Sequence, residues 1–323
     1  MQETKTFSFY YQVPQHVKRR KPLKAQSKLE TKRNGGTWAL FFIVFLIFLL
    51  YSFSIIYPII WGFISSFQSQ QAYYHNIIDP PESFWEALQF RGGWASTNYK
   101  EALSKLTSTS GVTFLEMFWN STWFSVGSIV INLFFVSLTS YIIAKYRFKG
   151  RQFVYMLAII TMIVPIYGTL PASLKLYKEL HMYDSPLILI SAIGGFGANF
   201  ILLVSYYRNI SWTYAEAAMM DGASHAKIYF RIMMPLARPM LVSMFLLGFI
   251  GKWNDYMSCI LYLPKNYVTL AGGIYQYQSN ITQGGNYPVL FAGIFISLIP
   301  IVILFALLSK TMMKNMTFGG IKG

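Results

Sequence analysis

The chain has 323 residues, of which 54% are hydrophobic and 12% are charged, and its formal net charge is +15. A soluble domain carries about 25% charged residues, so this composition excludes an ordinary water-soluble fold and indicates an integral membrane protein. One cysteine excludes an internal disulfide framework, and four scattered histidines predict no metal site.

Apolar runs long enough to cross a bilayer recur along the chain. No Asp, Glu, Lys or Arg occurs between Arg33 and Asp79, and the first run lies in this stretch. A bilayer core is crossed by about 20 apolar residues in a helix, which satisfies its backbone amides internally. The sequence therefore predicts six transmembrane helices, at 37–67, 118–144, 152–174, 185–207, 239–263 and 288–309.

The distribution of Lys and Arg predicts the orientation of these helices, because cytoplasmic loops carry an excess of both residues. Twenty of them lie in one set of alternate segments: 1–36, 145–151, 208–238 and the tail from Lys310. Six lie in the other set: 67–117, 175–184 and 264–287. We therefore expect both termini in the cytoplasm. The basic tail at 1–36 is expected to touch anionic membrane lipid, and nucleic acid is not an expected partner.

A polar segment interrupts the apolar runs before the fifth predicted helix. Thr213 and Glu216 have the spacing of a capping box, which predicts the start of a short helix. Gly222 is suited to end that helix in the left-handed conformation, and Ser224 to cap a second one. We expect this second helix to stop at Pro235, because proline lacks the amide that continues a helix.

The segment also has the surface of a docking element. Met219 and Met220 place adaptable apolar side chains next to the bend predicted at Asp221-Gly222. Apolar side chains that project from a bent helix in this way are suited to bind in a groove on another protein.

The same segment resembles the EAA loop of ABC importer permeases. The resemblance rests on Glu216-Ala217-Ala218, on Gly222 four residues later, and on Pro235, although Ser211 stands where that family often has proline. Further matches follow the family's order along the chain: the NYKEAL of 98–103, Asn120-Ser121, the RFKGR of 147–151, Trp253-Asn254-Asp255 and the terminal GGIKG of 319–323. Together they resemble the MalG-type permease subunit of bacterial carbohydrate ABC importers, which has the MetI-like fold.

The resemblance implies an all-α integral membrane protein with six transmembrane helices and a cytoplasmic coupling-helix loop. Its domains would be the basic tail at 1–36 and an ABC transporter type-1 transmembrane domain at 37–323, with a core at about 118–310. It implies a transport subunit and not an enzyme. The expected substrate is a sugar, in particular an oligosaccharide, which is moved across the bacterial plasma membrane into the cytoplasm. The implied partners are a second homologous permease of the MalF type, two copies of a cytoplasmic ATPase and an extracytoplasmic solute-binding protein. No cofactor is expected in this chain, since ATP and Mg would be bound by the ATPases.

Roles are expected for three sets of residues: the ATPase and binding-protein contacts from the resemblance, and the substrate path from polar groups inside the fifth predicted span. Contact with the ATPase is expected from Glu216, Ala217, Ala218, Met219, Met220, Asp221, Gly222, Ala223 and Pro235. The substrate path is expected at Trp253, Asn254, Asp255 and Tyr256, and contact with the binding protein at Tyr275, Tyr277, Gln278 and Asn286.

Other interpretations of these residues stay open at the level of sequence. Glu216 also suits capping its own helix. Lys252 and Asp255 also suit an ion pair at the membrane interface. The tyrosines of 264–287 also suit a membrane interface, where tyrosine is enriched. At the level of function, a permease for a peptide or a polyamine keeps the EAA loop. A membrane-embedded enzyme requires a cluster of acids or histidines at one interface, and none is evident in the sequence.

Overall fold

The computed structural model describes residues 35–75, 94–163, 168–194, 196–281 and 285–316. The predicted basic tail, except its last two residues, and the terminal GGIKG lie outside these ranges. Within them every regular element is helical, which confirms the all-α prediction. The chain divides into two units, Met1–Tyr57 and Pro58–Gly323.

The described residues form a series of α-helices. In chain order they are α1 (Gly35–Ser65), α2 (Gln70–His75), α3 (Trp94–Lys105), α4 (Phe114–Lys145), α5 (Arg151–Ile163), α6 (Thr169–Glu179), α7 (Ala198–Asn209), α8 (Thr213–Met220), α9 (His225–Ile228), α10 (Met234–Trp253), α11 (Tyr256–Tyr262), α12 (Leu270–Ile281) and α13 (Tyr287–Met316). A 3-10 helix, Pro186–Ala192, precedes α7, and a π-helical turn, Tyr229–Met233, joins α9 to α10.

The described part of the first unit is the beginning of α1. Its side chains from Trp38 to Tyr57 are exposed and almost all apolar or aromatic. A helix that is apolar on all sides and exposed is suited to lipid, which is what the composition predicts for this stretch.

Four helices in the described part of the chain are long and apolar enough to cross a membrane. They are Trp38–Ser65, Phe114–Lys145, His225–Trp253 and Tyr287–Thr311. The predicted count of six is not confirmed. The third predicted run is helical as α5 and again as α6, and the fourth is a 3-10 helix followed by α7.

The proline prediction for the second cytoplasmic helix is wrong. That helix does not stop at Pro235; it continues through the π turn and α10 as far as Trp253. A proline in a regular helix clashes with the carbonyl four residues earlier. Here the wide π turn ends at Met233, so Pro235 falls in the first turn of the α-helical segment that follows, where its missing amide is tolerated.

The packed centre of the second unit is built around α4, which contacts α7, α10, α12 and the 3-10 helix. Its buried face carries small hydroxyl residues, namely Ser121, Ser125, Ser128, Ser137 and Ser140. Small side chains let neighbouring helices approach closely, and the Ser140 hydroxyl donates to the Phe200 carbonyl of α7 at 3.2 Å. Helix α4 begins with a capping box between Thr113 and Glu116, which was not predicted.

Candidate functional site

The bend predicted in residues 213–235, which we call the coupling segment, is present. Helix α8 ends at Met220, and Gly222 has a φ of 76°, in the left-handed region that glycine adopts readily. The Ser224 hydroxyl accepts from the Lys227 amide at 3.4 Å and caps α9, as predicted. The predicted capping box of Thr213 and Glu216 is wrong, since Trp212 is the N-cap of α8 and makes no side-chain cap.

The predicted ATPase-contact residues form a mostly exposed surface. Met220 is 88% exposed, the largest exposure among the described large apolar residues, and Met219 is 36% exposed. Glu216, Ala217, Asp221, Gly222 and Pro235 are also exposed, and Ala218 and Ala223 are half-buried. An exposed methionine side chain on a short helix is suited to burial in a groove of a partner protein.

Aromatic and hydroxyl contacts hold this surface against the end of α4. The Tyr146 hydroxyl lies 2.9 Å from Nδ1 of His225, and the Tyr146 ring meets Trp212 edge to face. Deeper in the protein, the Tyr229 hydroxyl donates to the Ser137 hydroxyl at 3.0 Å. Ser137 in turn lies 2.7 Å from the Tyr207 hydroxyl of α7. The coupling segment is therefore tied by hydrogen bonds to two core helices.

Two of the predicted substrate-path residues, Trp253 and Asp255, are held by contacts within the protein. Trp253 is buried, donates from Nε1 to the Ser297 carbonyl at 3.0 Å, and stacks on Phe249 at 5.2 Å between centroids. Asp255 accepts from Lys252 Nζ at 2.9 Å and from the Ser258 hydroxyl at 2.6 Å. The Lys252–Asp255 ion pair, one of the two interpretations that the sequence left open, is therefore present.

Asn254 and Tyr256, together with Trp253, line a pocket that we call the tyrosine pocket. It has a volume of about 410 Å³ and is lined by Trp253, Asn254, Tyr256, Ala271, Ile274, Tyr275, Gln278, Ile294 and Ser297. Tyr275 and Gln278, which were predicted to contact the binding protein, therefore share this pocket with Asn254 and Tyr256, which were predicted for the substrate path.

The other two residues of that set have structural contacts. Tyr277 packs against Ala102, Val289 and Ala292, where burial raises its pKa. The Asn286 side chain accepts from the Val289 amide at 3.4 Å at the start of α13. The segment 264–287, expected as an outer loop, is helical over Leu270–Ile281, so Tyr275 and Gln278 are one turn apart on the same face.

A second pocket, which we call the lysine cavity, lies between α4, α6, the 3-10 helix, α7, α10 and α11. It has a volume of about 540 Å³, and its polar lining is Ser128, Asn132, Tyr177, Ser191, Asn199, Lys252, Ser258 and Tyr262. Apart from Lys252, the sequence analysis assigned none of these residues to a site. Polar residues inside an apolar span are costly and are retained for function or for packing, so Ser128 and Asn132, one turn apart in α4, were a usable signal.

The described residues contain no group of three or more His, Cys, Asp or Glu that is able to hold a metal ion. Cys259, the single cysteine, is buried. The described site features are thus two pockets with polar lining, one ion pair and an exposed surface around Met220.

Comparison with known proteins decides the family. Residues 136–316, more than half of the chain, match the family of binding-protein-dependent transport system inner membrane components. The chain belongs to this family. It is therefore a permease subunit of the multi-pass plasma-membrane type and not an enzyme.

Several curated permeases are similar over most of the chain. The galactooligosaccharides transport system permease protein GanQ of Bacillus subtilis (strain 168) is 29% identical over 83% of this chain and 91% of its own length. The arabinooligosaccharides transport system permease protein AraQ of the same organism is 31% identical over 66% of this chain and 75% of its own length.

A solved structure confirms the fold. A crystal structure of a bacterial ABC transporter involved in the import of the acidic polysaccharide alginate contains a chain with a TM-score of 0.66 and 24% identity. The alignment covers 87% of this permease and 99% of that chain. At this identity the likeness establishes the architecture alone.

Proposed function

We propose that this permease is the MalG-type subunit of an ATP-driven importer that brings an oligosaccharide into the cytoplasm. The observation that carries the proposal is the family match over 136–316 together with the names of similar permeases, which specify galactooligosaccharides and arabinooligosaccharides. A maltodextrin transport system permease, MdxG of Bacillus subtilis (strain 168), is a further relative at 28% identity.

The proposed partners follow from what the chain offers. A second permease of the MalF type would complete the path, and two copies of a cytoplasmic ATPase would bind ATP and Mg. The exposed surface around Met220 is where we place the ATPase, which would grip the segment from Glu216 to Ala223. An extracytoplasmic solute-binding protein would deliver the sugar, as in the solved alginate transporter in complex with its periplasmic protein.

The proposed topology places the lysine cavity within the bilayer. The charge of Lys252 is tolerated there because Asp255 pairs with it at 2.9 Å. Sugar hydroxyls exchange hydrogen bonds with amides and hydroxyls, and the cavity supplies both from Asn132, Asn199 and Ser128. The lysine cavity is thus our choice for the membrane part of the sugar path.

The mechanism is a two-state switch rather than covalent chemistry. ATP would close the ATPases, move the coupling segments together and shift the helices from inward-open to outward-open. Binding protein and ATP bias one equilibrium, so each is expected to strengthen the binding of the other.

Affinity purification of the tagged full chain from its native membrane tests the proposal. We expect a second permease and an ATPase to co-purify, and the complex to hydrolyse ATP faster when a sugar-loaded binding protein is added. A chain that purifies without any ATPase under mild detergent, and whose deletion leaves oligosaccharide uptake intact, would refute the assignment.

A further inference from the structure

The tyrosine pocket contains an exposed aromatic platform. The rings of Tyr256 and Tyr275 are stacked, with centroids 4.8 Å apart and planes inclined by 16°. Each ring has one face against the other, yet Tyr256 is still 40% exposed and Tyr275 43% exposed. The exposed area therefore belongs largely to the outer faces and edges of the pair, which are open to a flat ligand.

Amide groups lie beside this platform. Asn254 donates from Nδ2 to the Ile250 carbonyl at 2.8 Å, which fixes the direction of its side chain and leaves Oδ1 as an acceptor. Gln278 is exposed, and its side-chain amide makes no hydrogen bond to the residues that the structure describes. The pocket thus offers acceptors and donors next to aromatic faces, a combination that matches the hydroxyls and the C–H face of a sugar ring.

The floor of the pocket is held in place. Trp253 is 3% exposed and is fixed between its hydrogen bond to the Ser297 carbonyl and the rings of Phe249 and Phe118. A site whose supporting side chains are already locked loses little entropy on binding. The volume of about 410 Å³ falls within the range of roughly 300–1,000 Å³ found for small-molecule sites.

The lining residues also select by charge. None of them is Asp, Glu, Lys or Arg. A carboxylate placed in the pocket would lose hydration without meeting a cation, whereas a neutral sugar loses little.

We infer that the tyrosine pocket is a binding subsite for one uncharged pyranose ring of the transported oligosaccharide, stacked on the Tyr256–Tyr275 pair and hydrogen-bonded by Asn254 and Gln278. The inference rests on the proposed function. Under the proposed topology the pocket lies at the outer end of the path. There it would hold a sugar that has left the binding protein and has not yet entered the lysine cavity.

Saturation-transfer NMR on the purified full-length complex, without binding protein, tests the subsite. The probes are the neutral pyranose trisaccharides maltotriose and galactotriose and the anionic trigalacturonate. We expect saturation of the C–H protons of at least one neutral probe, with no signal from trigalacturonate. Tyr275→Ala should weaken that binding roughly threefold to tenfold, in line with the loss of one aromatic stacking contact. Tyr275→Phe should retain it.

Tyr74→Ala is the matched control. Tyr74 is also exposed, at 52%, and lies outside the pocket. Tyrosines that only mark a membrane interface would give equal, unchanged sugar binding in Tyr275→Ala and Tyr74→Ala, and that result overturns the subsite, as does the absence of any neutral-sugar signal.

Uptake by cells that carry the same variants keeps this failure separate from failure of the proposed function. If wild-type cells import a neutral oligosaccharide and Tyr275→Ala leaves the KM unchanged, the subsite falls and the importer assignment stands. If wild-type cells import only an anionic oligosaccharide, the subsite falls and the importer assignment stands; if they import no oligosaccharide, both fall.

Discussion

Gly222 sets the shape of the coupling segment. A β-carbon built at this position meets no atom within 4 Å, so space is available and only the backbone conformation restricts the residue. Its φ of 76° costs an ordinary side chain about 1–2 kcal/mol, and a β-branched one more.

We expect Gly222→Val to reach the membrane at normal levels and to lose ATPase retention, stimulated ATP hydrolysis and uptake. The strain is local to an exposed bend, so insertion of the spans is unaffected. All three activities should be measured in one membrane preparation.

Gly222→Asn is the control, because asparagine tolerates the left-handed conformation, and it should keep most of the uptake. Full uptake by Gly222→Val with the ATPase stably bound would end the coupling interpretation of this segment.

Asp255 and Asn254 give a second prediction at this scale. Asp255→Leu removes the N-cap of α11, which accepts from the Ser258 amide at 3.0 Å, and leaves the Lys252 ammonium unpaired at the lysine cavity. Asn254→Leu removes an amide from the tyrosine pocket. We expect either change to reduce uptake more than Lys265→Ala, since the Lys265 side chain is exposed and only its backbone amide is bonded, to Asp184. Initial uptake rates at matched expression measure this, and equal, negligible effects would remove these residues from the path.

At the scale of elements, the junction of α4, α7 and the π turn depends on one hydroxyl. Ser137 is fully buried and serves both Tyr229 and Tyr207. Removing it leaves two buried hydroxyls without this partner, at a cost of about 1–3 kcal/mol.

Ser137→Ala should therefore lower the Tm of the solubilised protein by several degrees. Thr139→Ala is the matched control two residues along α4, because the Thr139 hydroxyl donates only to carbonyls of its own helix, those of Phe135 and Val136. Thermal unfolding followed by circular dichroism distinguishes the two. The same Tm for both variants would show that the shared hydroxyl does not stabilise the junction.

The elements also show what a sequence can and cannot predict. The bend at Gly222 and the cap at Ser224 were predictable because each depends on one residue and its nearest backbone. The continuation through Pro235 was not, because it depends on a π turn, and a π turn has no local sequence signature. Leu270–Ile281 was expected as a loop since its tyrosines and amides lack a continuous apolar run, yet packing against α4 and α13 makes it a helix.

The same limit applies to the site. The ion pair of Lys252 and Asp255 was predictable from their separation of three residues, although α10 ends at Trp253 and Asp255 is the N-cap of α11. The meeting of Tyr256 with Tyr275 was not, because the two residues belong to different helices and no spacing rule relates them. The lysine cavity, built from several helices, was missed for the same reason.

For the whole molecule, orientation in the membrane is the main prediction. The count of twenty basic residues against six places 1–36 and 208–238 in the cytoplasm, and 67–117 and 264–287 outside. In intact cells, a membrane-impermeant maleimide should label Ser279→Cys and spare Ser224→Cys until the membrane is permeabilised. Native Cys259 is buried and should give little background. The reverse labelling pattern would invert the topology.

The π turn has a mechanical consequence for a molecule of this design. His225–Trp253 is one continuous rod with the wide turn near one end, four residues on the short side and twenty on the long side. At 1.5 Å per residue these arms measure roughly 6 Å and 30 Å. If the rod pivots at the wide turn, a displacement of ~1 Å at His225, beside the docking surface, becomes ~5 Å at Lys252 and Trp253, which border the two pockets. The position of a single irregular turn therefore sets the lever ratio, and under the proposed function a small movement of the partner ATPase would be enlarged where the rod borders the two pockets.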